Sequence, residues 1–73
     1  MRVRVVEALS RLFGDRGVDI NTLADDADLS ERLEWDSMDI VDLGMEFERR
    51  LGVMLPEEAG EINTISRLVG FLS

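Results

Sequence analysis

A chain of 73 residues has room for one small hydrophobic core and little material for an enclosed catalytic cleft. Sixteen acids against eight arginines leave a net charge of −8, which disfavours nucleic acid and anionic membrane surfaces and favours basic protein surfaces as partners. The absence of His, Cys, Lys and Tyr removes the usual general base, the thiolate nucleophile, Schiff-base chemistry and the commonest zinc ligands, so no metal site and no enzymatic activity is expected.

Hydrophobic residues make up 45% of the chain, enough to fold. The longest apolar run, Val53 to Leu55, is far too short to span a membrane. Met1 to Glu7 has neither the apolar stretch nor the cleavage site of a secretory signal. The expectation is a single domain over residues 1–73, cytoplasmic, monomeric and freestanding.

In chain order, Val5, Val6, Leu9, Leu12 and Phe13 recur at helical spacing and predict a first helix over about Val3 to Phe13, with Gly14 as its stop. A long acidic connection follows, Asp15 to Trp35. It holds seven acids and two arginines, and its Val18, Ile20, Leu23, Leu29 and Leu33 predict that it packs against the helices. A second long helix is predicted from Asp36-Ser37 to Leu51, with Asp36 as N-cap, Asp39 in the positive first turn, Arg49 and Arg50 in the last turn, and Gly52 as terminator. Leu55-Pro56-Glu57-Glu58 reads as the start of a short helix near Ala59 with proline in its first position. Thr64 caps a last helix with Ile65, Leu68, Val69 and Leu72 on one face. The expected fold is all-α: a four-helix bundle of three main helices and one short one, with a long first loop.

Wound at about 100° per residue, the second long helix has two apolar faces. Ile40, Leu43, Phe47 and Leu51 form one stripe within roughly 80°; Met38, Val41 and Met45 form another about 150° away, bordered by Asp42, Glu48 and Arg49. A small bundle does not bury both. One reading packs the second stripe under the long connection or the last helix. The other leaves it as an exposed, acid-rimmed docking strip, to which the adaptable methionines are suited. Ser37 lies at the edge of that strip.

Leu33-Glu34-Trp35-Asp36-Ser37-Met38-Asp39, followed by Val41, Leu43, Phe47-Glu48 and Gly52-Val53-x-Leu55-Pro56, resembles the acyl carrier protein family. Gly17-Val18, Ala27-Asp28-Leu29 and Thr64-Ile65 extend the resemblance along nearly the whole chain. The resemblance implies that a phosphopantetheinyl transferase, using Mg²⁺, moves the phosphopantetheine arm of coenzyme A onto the Ser37 hydroxyl, with Asp36 aiding transferase recognition. Acyl groups then ride as thioesters on the arm's thiol to loading, condensing and modifying enzymes with basic docking surfaces, in fatty-acid, specialised lipid or polyketide-type biosynthesis. By position, Asp39, Asp42 and Glu48 correspond to the family's acidic partner-recognition residues, and Met38, Val41 and Met45 to its apolar contacts. Two positions depart from the pattern: Glu34 stands where the family usually has Gly, followed by the bulky Trp35, and Arg49-Arg50 stand where fatty-acid carriers are usually acidic. Family members can shelter an acyl chain among their helices, and Ala8 and Gly44 are the small residues here that would leave such space.

Three other readings compete. A peptidyl carrier usually has a Gly-Gly pair before the serine, absent here. An acidic helical interaction module, with a calcium loop begun by Asp26, Asp28 and Ser30, fails because Glu31 replaces the required Gly and Ser37 occupies the closing Glu position. A two-carboxylate hydrolase needs a substrate cleft the chain can hardly build.

Overall fold

The computed structural model describes residues 1–72. Helix α1 runs Arg2–Phe13, α2 Leu29–Arg32, α3 Ser37–Leu51, α4 Ala59–Ile62 and α5 Ile65–Gly70, with one 3₁₀ turn at Ile20–Thr22; no strand occurs among the described residues. In α1, Val5, Val6, Ala8, Leu9 and Phe13 are buried and define the inward face, while Glu7, Ser10 and Arg11 face water. Gly14 ends the helix with its N–H on the Ser10 carbonyl at 2.9 Å. A Cβ at residue 14 would stand 2.4 Å from that same oxygen, so the stop depends on a close approach only glycine permits.

The core is one cluster. α1 packs against α3 and α5, and Leu43 and Phe47 from α3 share one buried cluster with Ile62, Ile65 and Leu68 from the C-terminal helices. The long connection contributes Ile20, Leu29 and Leu33 to the same cluster, as its apolar spacing predicts, and Val18 and Leu23 pack against it. Three of its acids are engaged. Asp19 accepts from the Asn21 N–H at the 3₁₀ turn, Asp25 pairs with Arg2 at 2.6 Å, and Asp28 caps α2 through the N–H groups of Ser30 and Glu31.

Three expectations need correction. The connection contains a helix, α2, that the periodicity does not announce, because four residues carry no helical repeat. It is held instead by the Asp28 cap, the burial of Leu29 and a 2.7 Å bond from the Leu29 N–H to the Asn63 carbonyl. The described chain therefore has five helices rather than four. Pro56 does not open a helix: it lies in the irregular segment after Gly52, and α4 begins three residues later with Glu58 as N-cap. The last helix ends at Gly70, so Leu72 packs on the core from beyond it.

Candidate functional site

The first turn of α3 is built by a reciprocal cap. The Asp36 carboxylate accepts the Asp39 N–H at 2.9 Å, and the Asp39 carboxylate accepts the Asp36 N–H at 3.0 Å. The first intrahelical bond runs from the Ile40 N–H to the Asp36 carbonyl. Ser37 occupies the first helical position; its side chain is exposed and its hydroxyl makes no hydrogen bond. Other hydroxyls are engaged: Ser30 Oγ donates to Asp28 at 2.6 Å, Thr22 Oγ1 donates to the Asp19 carbonyl, and buried Thr64 caps α5. Ser10, inside α1, and Ser66, the second residue of the six-residue, Thr64-capped α5, are exposed too.

The approach to Ser37 is shaped by how α2 ends. The Trp35 N–H bonds the Ser30 carbonyl at 2.9 Å and the Glu34 N–H bonds the Glu31 carbonyl at 3.3 Å, the paired pattern of a helix C-terminus closed by a left-handed residue. That residue is Glu34, at φ 53°, the only described non-glycine residue with positive φ. Glycine adopts such a left-handed backbone without the steric cost of a side chain. An L-residue here costs about 1–2 kcal/mol, partly offset because glycine loses more chain entropy on folding. Glu34→Gly is thus expected to stabilise the fold by about 1 kcal/mol, raising Tm by roughly 4–8 °C in thermal unfolding. Trp35 then packs on Phe13, ring centroids 5.7 Å apart and planes tilted by 40°, with its buried indole N–H unpartnered.

Asp39 does not lie on the exposed strip of α3. It is 8% exposed, and the Arg16 guanidinium grips both its oxygens, at 2.8 and 3.0 Å, while a further bond of 2.8 Å reaches the Leu33 carbonyl. Asp39, expected among the acids that meet partner enzymes, has its carboxylate committed to Arg16 inside the molecule. The helical wheel holds the signal: Asp39 lies about 130° from the centre of the Met38–Val41–Met45 strip, on the side of Glu46, which faces Arg11 of α1. The importance of Arg16 itself carries no local sequence signal, because it reaches Asp39 across 23 residues.

The Arg16 hydrogen bond holds the Asp39 carboxyl below the ordinary carboxylate range, against desolvation. Asp28 is lowered as well, first by the Ser30 hydroxyl. A lowered folded-state pKa means that the native protein binds fewer protons than the unfolded chain as acid is added. The contribution is therefore complete above about pH 5 and is lost as pH falls below about 4 towards the folded values. Melting curves from pH 7 to pH 3 should show Asp39→Asn less stable than wild type at neutral pH but with a shallower acid-side decline. Relief of the net negative charge on acidification is common to both proteins, so the difference in slope isolates this carboxyl.

The second stripe of α3 is exposed: Met38 at 64%, Val41 at 45% and Met45 at 50%. The exposed reading of that stripe is the one the fold adopts. Asp42 and Glu48 flank it, exposed and without ion pairs. Arg50 pairs with Glu46 at 2.8 Å, and Arg49 lies exposed beside Met45 and Glu48. Along one side of the strip runs a groove of about 170 Å³, floored by Ile40 and Gly44 and walled by Met54, Leu55 and Pro56. Of the two small residues singled out earlier, Gly44 lines this groove, whereas Ala8 is packed in the core. None of the described helices is long and apolar enough to cross a membrane.

Residues 3–72 match the family described as "Phosphopantetheine attachment site". An "Acyl carrier protein" of Rubrobacter xylanophilus is 36% identical over 73 residues, covering 97% of this chain and 90% of its own length. Such a family takes a covalently attached phosphopantetheine, and an exposed, unbonded hydroxyl is the chemistry that attachment requires. With an all-helical fold, a family match across nearly every residue and a relative of matching length, the chain belongs to the acyl carrier protein family and is a phosphopantetheine-bearing carrier rather than a catalyst.

Proposed function

We propose that Ser37 is the attachment residue and that the chain carries acyl groups between enzymes of fatty-acid, specialised lipid or polyketide-type biosynthesis. One observation carries this reading: a free, exposed serine hydroxyl stands at the first position of a 15-residue capped helix, at the edge of an apolar strip flanked by acids. When bound, the prosthetic group supplies a thiol that holds acyl groups as thioesters, which a chain without cysteine cannot provide itself.

The chain's own residues do the rest. Ser37 offers its oxygen in the open, beside N–H groups of Ser37 and Met38 that the cap leaves uncommitted and the positive end of the helix dipole. Asp36 fixes the helix start and presents an exposed acid one residue before the serine, suited to transferase recognition. Met38, Val41 and Met45 supply repackable apolar contact, while Asp42 and Glu48 select partners with basic rims.

The test is incubation with coenzyme A, Mg²⁺ and a broad-specificity phosphopantetheinyl transferase, read by intact-protein mass spectrometry. A gain of one phosphopantetheinyl mass on a Ser37 peptide supports the reading. A chain that stays unmodified, or is modified elsewhere, overturns it.

A further inference from the structure

Arg16 ties together three segments that meet at the start of α3. Its guanidinium holds both oxygens of Asp39, donates to the Leu33 carbonyl at the end of α2, and lies over the Phe13 ring with 5.1 Å from its central carbon to the ring centroid. Asp39 is simultaneously the residue whose carboxylate accepts the Asp36 N–H, and Phe13 is the residue on which Trp35 packs. Both backbone entries to Ser37, from Leu33 through Trp35 and from the first turn of α3, thus converge on one cation.

We propose that Arg16 is a positioning residue for the transfer reaction at Ser37, acting through Asp39 and Leu33 and not by touching the reactants. The inference rests on Ser37 being the attachment residue. In that reaction a bond forms between Ser37 Oγ and the pantetheine-bearing phosphorus of coenzyme A. The pyrophosphate P–O bond breaks, adenosine 3′,5′-bisphosphate leaves, and the hydroxyl proton passes to the transferase. The acceptor chain contributes orientation, and orientation of a nucleophile is sensitive to sub-ångström displacement.

Without Arg16 the buried Asp39 carboxylate has no counter-charge. It gains by turning towards water, which releases the Asp36 N–H and loosens the turn that carries Ser37. The docking strip of Met38, Val41 and Met45 faces away from Asp39 and is left as it was. Orientation should therefore suffer while docking does not.

The experiment compares wild type, Arg16→Gln, Arg16→Lys and Thr64→Ala as acceptors for the transferase with coenzyme A and Mg²⁺, at a temperature where circular dichroism shows each fully folded. Thr64→Ala removes the cap of α5 and lowers stability without altering the Arg16 cluster. Arg16→Gln is expected to lower kcat about tenfold with KM within about twofold, Arg16→Lys to fall between, and Thr64→Ala to keep the wild-type kcat. If Arg16→Gln does not fold, Arg16→Lys and Asp39→Asn carry the same comparison, since a lysine cannot span both carboxylate oxygens and the carbonyl. An Arg16 variant modified at the wild-type rate, a loss confined to KM, or an equal loss in Thr64→Ala each overturns the inference while the carrier reading stands. A wild-type chain that accepts nothing at Ser37 overturns both.

Discussion

Ser37→Ala is expected to accept no phosphopantetheine at all, while its melting temperature stays close to that of wild type. The substitution deletes one exposed oxygen that bonds nothing in the protein, at a first-turn position where alanine is a good helix former. Stability should thus change by no more than about 0.5 kcal/mol. The separation between a complete loss of modification and an unchanged fold is what makes the result decisive. Mass spectrometry after transferase treatment reads the first, and thermal unfolding reads the second. Surviving modification would redirect attention to Ser10 or Ser66, the other exposed described serines, and would remove the capped turn of α3 from the mechanism.

Phe47→Ala should be the most damaging single change to the fold. Phe47 is fully buried in the second half of α3, where it joins the shared core of α1, the connection and the C-terminal helices. Truncating a buried phenylalanine costs about 3–5 kcal/mol in lost burial and residual cavity. A domain of this size has a total stability of roughly 4–11 kcal/mol, so the variant is expected to lose at least 12 °C of Tm, taking about 4 °C per kcal/mol, or to be unfolded at 37 °C. Chemical denaturation followed by the fluorescence of Trp35, the single tryptophan, would measure it. A loss below about 1 kcal/mol would mean that the core relaxes around the missing ring far more than its close packing allows.

These two residues lie on the same helix at opposite extremes of exposure. One α-helix carries both: its buried stripe anchors it in the core, and the anchored helix holds an exposed serine and an exposed apolar strip in fixed register. The fold thus presents a site without enclosing one, in keeping with a carrier whose chemistry is performed by its partners.

Local signals in the sequence were sufficient for the long helices, their caps and the exposed hydroxyl. Val5 to Phe13 and Ile40 to Leu51 repeat at helical spacing over several turns. Asp36, Gly52 and Thr64 act on backbone groups within a few residues, so their effects are encoded where they stand. The two apolar stripes of α3 were likewise readable from angle alone, and the acid-flanked strip with Ser37 at its edge followed from counting residues around a helix.

Tertiary structure alone decided which stripe the rest of the chain covers, that Leu29 to Arg32 coil into a helix, and that Glu34 turns left-handed before Trp35. It also decided that Asp39 serves the interior. Its partner Arg16 stands 23 residues away, and the Asn63 carbonyl that meets the Leu29 N–H stands 34 residues from it. Such bonds form only once the core has brought distant segments together. Periodicity and capping act over a few residues and are written locally, whereas pairing across the chain depends on the packing that folding itself creates.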